Sequence, residues 1–133
     1  AMRLCRFDDD RLGWVDGDGV RDVTAALDRL PSWRWPLPAA DPLWAGLDAL
    51  RAGILAAAAR TAPVPLERVR LGCPVPRPGK ILAVRRNRGP RAGDRPDVFL
   101  KAPSAVAGPA DELRVPRLGR AVECELELAL VIG

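Results

Sequence analysis

The sequence predicts an α+β protein: a small N-terminal β-hairpin and helix unit, residues 1–72, followed by a truncated mixed β-roll, residues 73–133. Three observations predict this class. The run DGDG at residues 16–19 is typical of a tight hairpin turn. Large aliphatic residues repeat at helical spacing after residue 41. Apolar residues alternate with glutamates in the last twelve or so residues, as in a strand with one buried face.

The N-terminal unit is predicted to open with a β-meander. Strands are expected near residues 4–6 and 12–15, with a return strand at residues 20–23 after the glycine-containing turn. Thr24 is of the residue type that caps helices, so the sequence predicts a short helix over residues 25–30 that Thr24 caps and a proline ends.

A longer helix is predicted from the pair Asp41-Pro42 to about Arg60. Aspartate is a favoured cap, and proline is tolerated in the first turn because that turn needs no backbone donor there. The apolar face of this helix is predicted to consist of Leu43, Leu47, Leu50 and Ile54. The nearby tryptophans favour packing in a core or an interface over an aromatic ligand platform, and they are Trp33, Trp35 and Trp44.

The second half is predicted to be built from strands. A buried strand is expected at residues 81–84, and shorter strands at residues 98–100 and near residues 113–115. After a turn at residues 117–120, the longest strand is expected at residues 121–132.

Charge and composition exclude several functions. Residues 85–96 hold five arginines and one aspartate, which accounts for the net charge of +4, so the rest of the chain is neutral and nucleic-acid binding is not expected. No apolar run is long enough to cross a membrane and no signal peptide opens the chain, so we expect a cytoplasmic protein without a membrane partner. Three widely spaced cysteines argue against a zinc site or a disulfide framework.

The chain contains no histidine, which excludes Ser-His-Asp and Cys-His catalysis and any histidine-ligated metal. Candidate chemistry therefore falls on carboxylates and lysine. Alternation places Glu123, Glu125 and Glu127 on one face of the last strand. Carboxylates two residues apart lie roughly 6.6 Å apart along a strand, so two of the three could share one hard cation. A solvated strand face is the other interpretation of this pattern.

Three stretches together resemble the fumarylacetoacetate hydrolase family. They are PRPGKILAV at residues 76–84, FLKAPSAVAGP at residues 99–109 and VECELELALVIG at residues 122–133. They match, in order, a strand that leads to the family's active-site loop, an F-x-K-x-P-S-x-x-x-G-P segment, and a metal-binding strand usually written D-Y-E-x-E-L-A-x-V-I-G. The opening residues also resemble the family's small N-terminal domain.

The resemblance implies roles for individual residues. Glu125 and Glu127 correspond to two metal-ligand glutamates, and we expect them to be catalytic groups or weak metal ligands. Lys101 and Ser104 correspond to a loop near the active site, as a catalytic residue and a substrate-binding residue. The family is usually homodimeric and acts on small keto acids with Mg²⁺ or a similar ion, which polarises oxygens where negative charge develops.

This sequence departs from the family pattern in its catalytic groups. The family normally has N-Y-x-x-H after the first of these strands, but residues 87–91 are NRGPR, without tyrosine or histidine. The family's third metal ligand, an aspartate, and its catalytic lysine have no counterpart in residues 1–133. The departures predict that hydrolase activity is lost and that Mg²⁺ binds weakly or not at all. Loss of general base catalysis alone costs roughly 10²–10⁴ in rate.

The sequence leaves three functional hypotheses open. The favoured one is a repurposed bacterial enzyme that decarboxylates, isomerises or cyclises a small keto acid or polyketide-type substrate, for example in secondary metabolism. The others are a non-catalytic binding or scaffold domain, and an inactive fragment of a hydrolase. Arg85, Arg86 and Asn87 are candidate substrate-binding residues, although charge runs usually face water. We also expect a homodimer, because the apolar face of the last strand needs a cover.

Overall fold

The computed structural model describes residues 1–39, 41–87, 95–115 and 121–132, and within these ranges the predicted α+β class is confirmed. The strands are β1 (Leu4–Phe7), β2 (Arg11–Asp16), β3 (Gly19–Asp22), β4 (Val64–Pro65), β5 (Leu71–Gly72), β6 (Ile81–Arg85) and β7 (Asp97–Lys101). The α-helices are α1 (Pro42–Ala45) and α2 (Leu47–Arg60). Short 3-10 helices span Thr24–Arg29, Leu66–Arg68 and Pro103–Ala105.

The N-terminal strands form one antiparallel sheet in the order β4-β3-β2-β1-β5. The predicted hairpin turn is present, since Asp16 lies opposite Gly19 in the register between β2 and β3. Gly17 has φ +59°, a conformation that glycine adopts without steric cost, and this explains why the turn needs glycine at that position.

The short helix predicted over residues 25–30 is present at Thr24–Arg29, but the prediction that Thr24 caps it is wrong. Residues Thr24–Arg29 form a 3-10 helix whose N-cap, Val23, makes no side-chain capping bond, and the Asp22 carboxylate accepts from the Thr24 N–H at 2.9 Å. The Thr24 hydroxyl instead contacts Leu12 in β2 and donates to the carboxylate of Asp22, at 2.5 Å. Thr24 therefore joins the start of this helix to the sheet.

The predicted helix after Asp41 begins where expected but is divided. Asp41 accepts a hydrogen bond from the Leu43 N–H at 3.0 Å, and Pro42 follows it, as the sequence predicts. Gly46, with φ −98° and ψ 5°, ends α1 and separates it from α2. Arg6 of β1 reaches the same aspartate with its Nη2 atom at 2.8 Å, which fixes the helix start against the sheet.

The core lies between the N-terminal sheet, α2 and the first 3-10 helix. It consists of Leu12, Val23, Ala26, Leu43, Leu50, Ile54 and Ala58. The predicted apolar face of the helix is thus confirmed at Leu43, Leu50 and Ile54, and Leu47 packs at the margin of the core. Trp44 also packs against this core, whereas Trp33 and Trp35 are exposed and lie outside it; packing in an interface stays a prediction for those two.

The second half forms the β6–β7 hairpin, a separate two-stranded antiparallel sheet. Both strands were predicted, but β6 is not the buried strand expected, since only Ala83 is buried. The strands predicted near residues 113–115 and at residues 121–132 are wrong for this structure: neither stretch pairs with another described residue. The turn predicted at residues 117–120 lies outside the described residues, and the domain division at residue 72 stays a prediction.

No helix within the described part of the chain is both long enough and apolar enough to span a membrane.

Candidate functional site

The glutamate segment, residues 121–132, carries the best candidate metal ligands. Glu125 and Glu127 are exposed, with Leu126 between them fully exposed at 102%. Exposure leaves the two carboxylates accessible to a ligand. Within residues 1–39, 41–87, 95–115 and 121–132, no three His, Cys, Asp or Glu side chains come close enough together to hold a metal ion. The segment therefore offers Glu125 and Glu127 as candidate ligands and not a complete set of ligands.

The β6–β7 hairpin presents two different faces. Directly paired residues of an antiparallel ladder share a face. One face is aliphatic, with Leu82 opposite Leu100 and Val84 opposite Val98. The other face carries the charged and aromatic side chains, and its pairs are Ile81 with Lys101, Ala83 with Phe99, and Arg85 with Asp97. The candidate chemistry of the hairpin is therefore confined to one side.

Two of the predicted substrate-binding arginines share one carboxylate. Arg85 contacts Asp97 with its Nη2 atom at 3.2 Å, and the Arg86 Nε atom lies 3.7 Å from the same oxygen. Arg86 has φ +61°, a left-handed conformation uncommon for residues with a side chain. Asn87 follows it and is exposed, while residues 88–94 lie outside the described part. Sequence reasoning missed Asp97, although the register of the hairpin would have indicated it.

Lys101 and Ser104 lie close together in sequence at the end of the hairpin. Lys101 is the last residue of β7, and its Nζ atom lies 5.9 Å from the centre of the Phe99 ring. Ser104 is in the 3-10 helix Pro103–Ala105 and is exposed. The structure thus brings these two residues to one end of the hairpin. No hydrogen bond or ion pair among the described residues connects them to Glu125 or Glu127.

The loop after Ser104 docks on the N-terminal sheet. A Cβ atom added to Gly108 would lie 3.1 Å from the Gly72 Cα atom, so glycine permits the close approach of the two backbones. The Asp111 carboxylate accepts a hydrogen bond from the Gly108 N–H at 2.7 Å and pairs with Arg70. Sequence reasoning missed the Arg70–Asp111 pair, because nothing local links residues 41 positions apart.

Two surface depressions lie away from the predicted site residues. One, of about 240 Å³, is lined by residues that include Met2, Trp44 and Arg51. The other, of about 150 Å³, is lined by residues that include Trp33 and Arg77. Neither includes a glutamate of the segment or Lys101, so the candidate site is not one of these depressions.

Comparison with known proteins gives matches along the whole chain. Residues 78–133 match the model of the fumarylacetoacetate (FAA) hydrolase C-terminal domain. Maleylpyruvate hydrolase of Aquipseudomonas alcaligenes is 39% identical over 99% of this chain and 53% of its own length. A 2,4-didehydro-3-deoxy-L-rhamnonate hydrolase of Sphingomonas sp. (strain SKA58) is 31% identical over 99% of this chain and 45% of its own length. A human mitochondrial oxaloacetate tautomerase is 34% identical over 59% of the chain and 27% of its own length.

A solved structure of a maleylpyruvate hydrolase also matches this chain. The maleylpyruvate hydrolase from Sphingobium sp. SYK-6, in complex with manganese(II) and pyruvate, superposes with a TM-score of 0.70 at 38% identity, covering 89% of this chain and 44% of that one. Fold, sequence and glutamate motif therefore agree on one class of protein. The chain belongs to the fumarylacetoacetate hydrolase family.

The match is partial in two respects. The chain spans about half the length of the two hydrolases that match it over 99% of its residues. The alignment with the Aquipseudomonas protein also runs over 151 positions, more than the 133 residues of this chain, so the relative has residues inside the aligned region that this chain lacks.

Proposed function

We propose that this chain acts on a small keto acid by isomerisation or decarboxylation, through its enol form, and does not hydrolyse it. One observation carries the proposal: the chain keeps Glu125 and Glu127 within the stretch that matches the family model, yet contains no histidine. Moving a proton on a carbon next to a keto group needs no activated water, whereas hydrolysis does. Relatives named as oxaloacetate tautomerases support this choice over the cyclisation that the sequence also left open.

Glu125 and Glu127 would hold a divalent cation, as the manganese in the Sphingobium structure suggests. The donor set fits, since a hard cation prefers carboxylate oxygens and both side chains are exposed. Such an ion takes about six oxygen ligands, so two glutamates alone give weak binding. When bound, the ion would polarise the keto and carboxylate oxygens of the substrate. Mg²⁺ and Mn²⁺ are both candidates.

The hairpin would supply the remaining groups. Lys101 carries an amine that can move a proton at the carbon beside the keto group, and Ser104 can donate a hydrogen bond to a substrate oxygen. Arg85 and Arg86 each use one nitrogen on Asp97 and keep further N–H donors, which suit a substrate carboxylate. Asn87 adds an exposed amide beside them.

Two reactions measured in parallel test the proposal. With Mg²⁺, the chain should accelerate the enol–keto interconversion of oxaloacetate at least about 10²-fold over the metal alone, while maleylpyruvate is not cleaved. Glu125→Gln and Glu127→Gln should each remove the acceleration. Glu123→Gln, a matched change of a neighbouring exposed carboxylate, should leave it unchanged. Cleavage of maleylpyruvate near 1 s⁻¹, or no acceleration of the oxaloacetate interconversion, would refute the proposal.

A non-catalytic binding domain is the second candidate. It is favoured by the finding that the described residues include no three-residue metal-holding group. A binding domain would bind a keto acid such as pyruvate, with Arg85→Ala weakening the affinity, and would leave oxaloacetate interconversion at the rate of the metal alone.

A further inference from the structure

The N-terminal sheet brings together two cysteines that are far apart in the sequence. Strands β1 and β5 are antiparallel and pair Arg6 with Gly72. In an antiparallel pair, the residue before Arg6 lies opposite the residue after Gly72, and both of these residues are cysteines, Cys5 and Cys73. Both are partly buried free thiols. The wide spacing of the cysteines in the sequence hides this pair, because only the register of the sheet shows it.

The hydrogen bonds of the sheet show which kind of position the two cysteines occupy. Just beyond the two strands, the Asp8 N–H donates to the Arg70 carbonyl at 2.8 Å, which makes this pair a hydrogen-bonded position. Such positions alternate with non-hydrogen-bonded positions along an antiparallel pair. Three residues further along, Cys5 and Cys73 therefore occupy a non-hydrogen-bonded position. The Cα atoms at such a position lie about 4.5 Å apart, within the range of about 4.4–6.8 Å that a disulfide requires.

The surroundings leave both sulfur atoms free to turn toward each other. Strand β5 ends before Cys73 because Pro74 has no N–H to continue the pairing. The Cys73 thiol donates only a weak hydrogen bond, to the Val75 carbonyl at 3.3 Å. On the other side of β1, Cys5 lies opposite Gly13, which has no side chain to compete for the space. Directly opposed residues share a face of the sheet, so rotation about the Cα–Cβ bonds directs the two sulfurs at one another.

We propose that Cys5 and Cys73 form a reversible disulfide by exchange with a small-molecule disulfide such as oxidised glutathione. Burial raises the pKa of the Cys5 thiol, so Cys73 supplies the first attacking thiolate. It attacks one sulfur of the oxidised glutathione, whose S–S bond breaks and releases one glutathione. Cys5 then loses its proton and attacks the Cys73 sulfur of the mixed disulfide, which releases the second glutathione. The protein thereby gives up two electrons and two thiol protons, and the two glutathione molecules gain them.

The disulfide would join β1 to the connection between β5 and β6. The loop that it closes contains β2, β3, β4 and both α-helices, so the crosslink spans nearly the whole N-terminal unit. A crosslink across a long loop restricts the unfolded chain, so oxidation should stabilise this unit and reduction should reverse the effect. The inference is independent of the proposed function, because neither cysteine is one of the candidate site residues.

Peptide mass spectrometry of the full chain tests the pairing. The protein is incubated with oxidised and reduced glutathione, quenched with acid, alkylated and digested. The main product should be two hydrogen atoms lighter than the reduced chain, with Cys5 linked to Cys73. Cys124→Ser removes the remaining, exposed thiol and should leave this disulfide unchanged. Cys5→Ser and Cys73→Ser should each give glutathione adducts without an internal disulfide.

The equilibrium constant of the exchange tests whether the fold positions the two cysteines. In the Cys124→Ser background, this constant should be at least about tenfold larger in buffer than in denaturing urea, because only the folded sheet holds the thiols side by side. The urea midpoint, followed by far-UV circular dichroism, should be higher for the oxidised chain and should return to the reduced value with dithiothreitol. A main disulfide that involves Cys124, glutathione adducts at Cys5 and Cys73 without an internal disulfide, or equal constants in buffer and urea would overturn the proposal.

Discussion

Replacing Asp41 by alanine should be the most destabilising single change at a polar residue of the N-terminal unit. One carboxylate oxygen of Asp41 accepts the Leu43 N–H at 3.0 Å, and the other pairs with the Arg6 guanidinium at 2.8 Å. The side chains of Arg6 and Asp41 are only 10% and 9% exposed. The change therefore removes a helix cap and leaves a buried guanidinium without its carboxylate.

The magnitude follows from these two losses. Loss of an N-cap costs about 0.5–2 kcal/mol. Breaking a buried ion pair by removing one partner costs about 3–5 kcal/mol, because the remaining charge stays desolvated. The two overlap, since one side chain serves both, so we expect Asp41→Ala to lower the free energy of unfolding by about 3–5 kcal/mol. Asp41→Asn keeps one oxygen, which can still accept from the Leu43 N–H, but its NH₂ group cannot accept from Arg6, so it should lose less than Asp41→Ala, about 1.5–3 kcal/mol.

Urea denaturation followed by far-UV circular dichroism measures the effect. Asp48→Ala is the matched control: Asp48 is in the first turn of α2, its side chain is 100% exposed, and its basic partner, Arg51, is 3.7 Å away. It should change the free energy of unfolding by about 0.5 kcal/mol or less. If Asp41→Ala lowers the free energy of unfolding by less than about 1 kcal/mol, the Arg6–Asp41 pair contributes little to stability, and this reasoning is refuted.

Three further predictions concern the sheet, its pH dependence and the metal. Gly13→Ala should lower the free energy of unfolding by about 1–3 kcal/mol by overpacking, because a Cβ there would lie 2.5 Å from Val20 and 2.7 Å from Cys5. Gly72→Ala, where a Cβ would have no atom nearer than 3.8 Å, should lower it by about 0.5 kcal/mol or less. The urea denaturation midpoints of the two variants test the difference. Burial alone would raise the pKa of Asp22, but hydrogen bonds from the Thr24 hydroxyl and N–H and from Arg11 lower it below its usual value. Because the pKa of Asp22 is lowered in the folded state, its carboxylate adds stability above about pH 4, and this stability is lost as the pH falls through the folded-state pKa. The difference in free energy of unfolding between wild type and Asp22→Asn should therefore become smaller below about pH 4. A difference that does not change with pH would contradict this. Calorimetry with Mn²⁺ should give weak binding that Glu125→Ala abolishes, and a micromolar site unaffected by that change would contradict the assigned ligands.

Local signals in the sequence predicted the N-terminal unit well. The turn at Gly17 and the helix start at Asp41 depend on a few neighbouring residues, whose conformational preferences are visible in the sequence. The break at Gly46 and the 3-10 form of the helix after Thr24 were missed. Both depend on how the elements pack, as the contact from Thr24 to Leu12 shows.

Nonlocal pairing limited the prediction of the second half. Alternation in residues 121–132 predicts a strand with an acidic side and an apolar side, but a strand also needs a partner for its backbone, alternation does not supply one, and the structure has no strand there. The family membership is confirmed, and the role of Glu125 and Glu127 as metal ligands or catalytic groups stays a prediction. The pairing of Arg86 with Asp97 was not predicted, because it depends on the register of the hairpin.

Exchange of the pyruvate methyl protons for deuterium tests the central claim most directly, because it measures enolisation without depending on the natural substrate. Proton NMR in D₂O with Mg²⁺ follows the loss of the methyl signal. The account predicts loss at least about tenfold faster with the wild-type chain than with Mg²⁺ alone, and no acceleration with a Glu125→Gln, Glu127→Gln double variant. Equal rates with and without the wild-type chain, or equal acceleration by the double variant, would contradict the assignment of these glutamates to keto-acid chemistry.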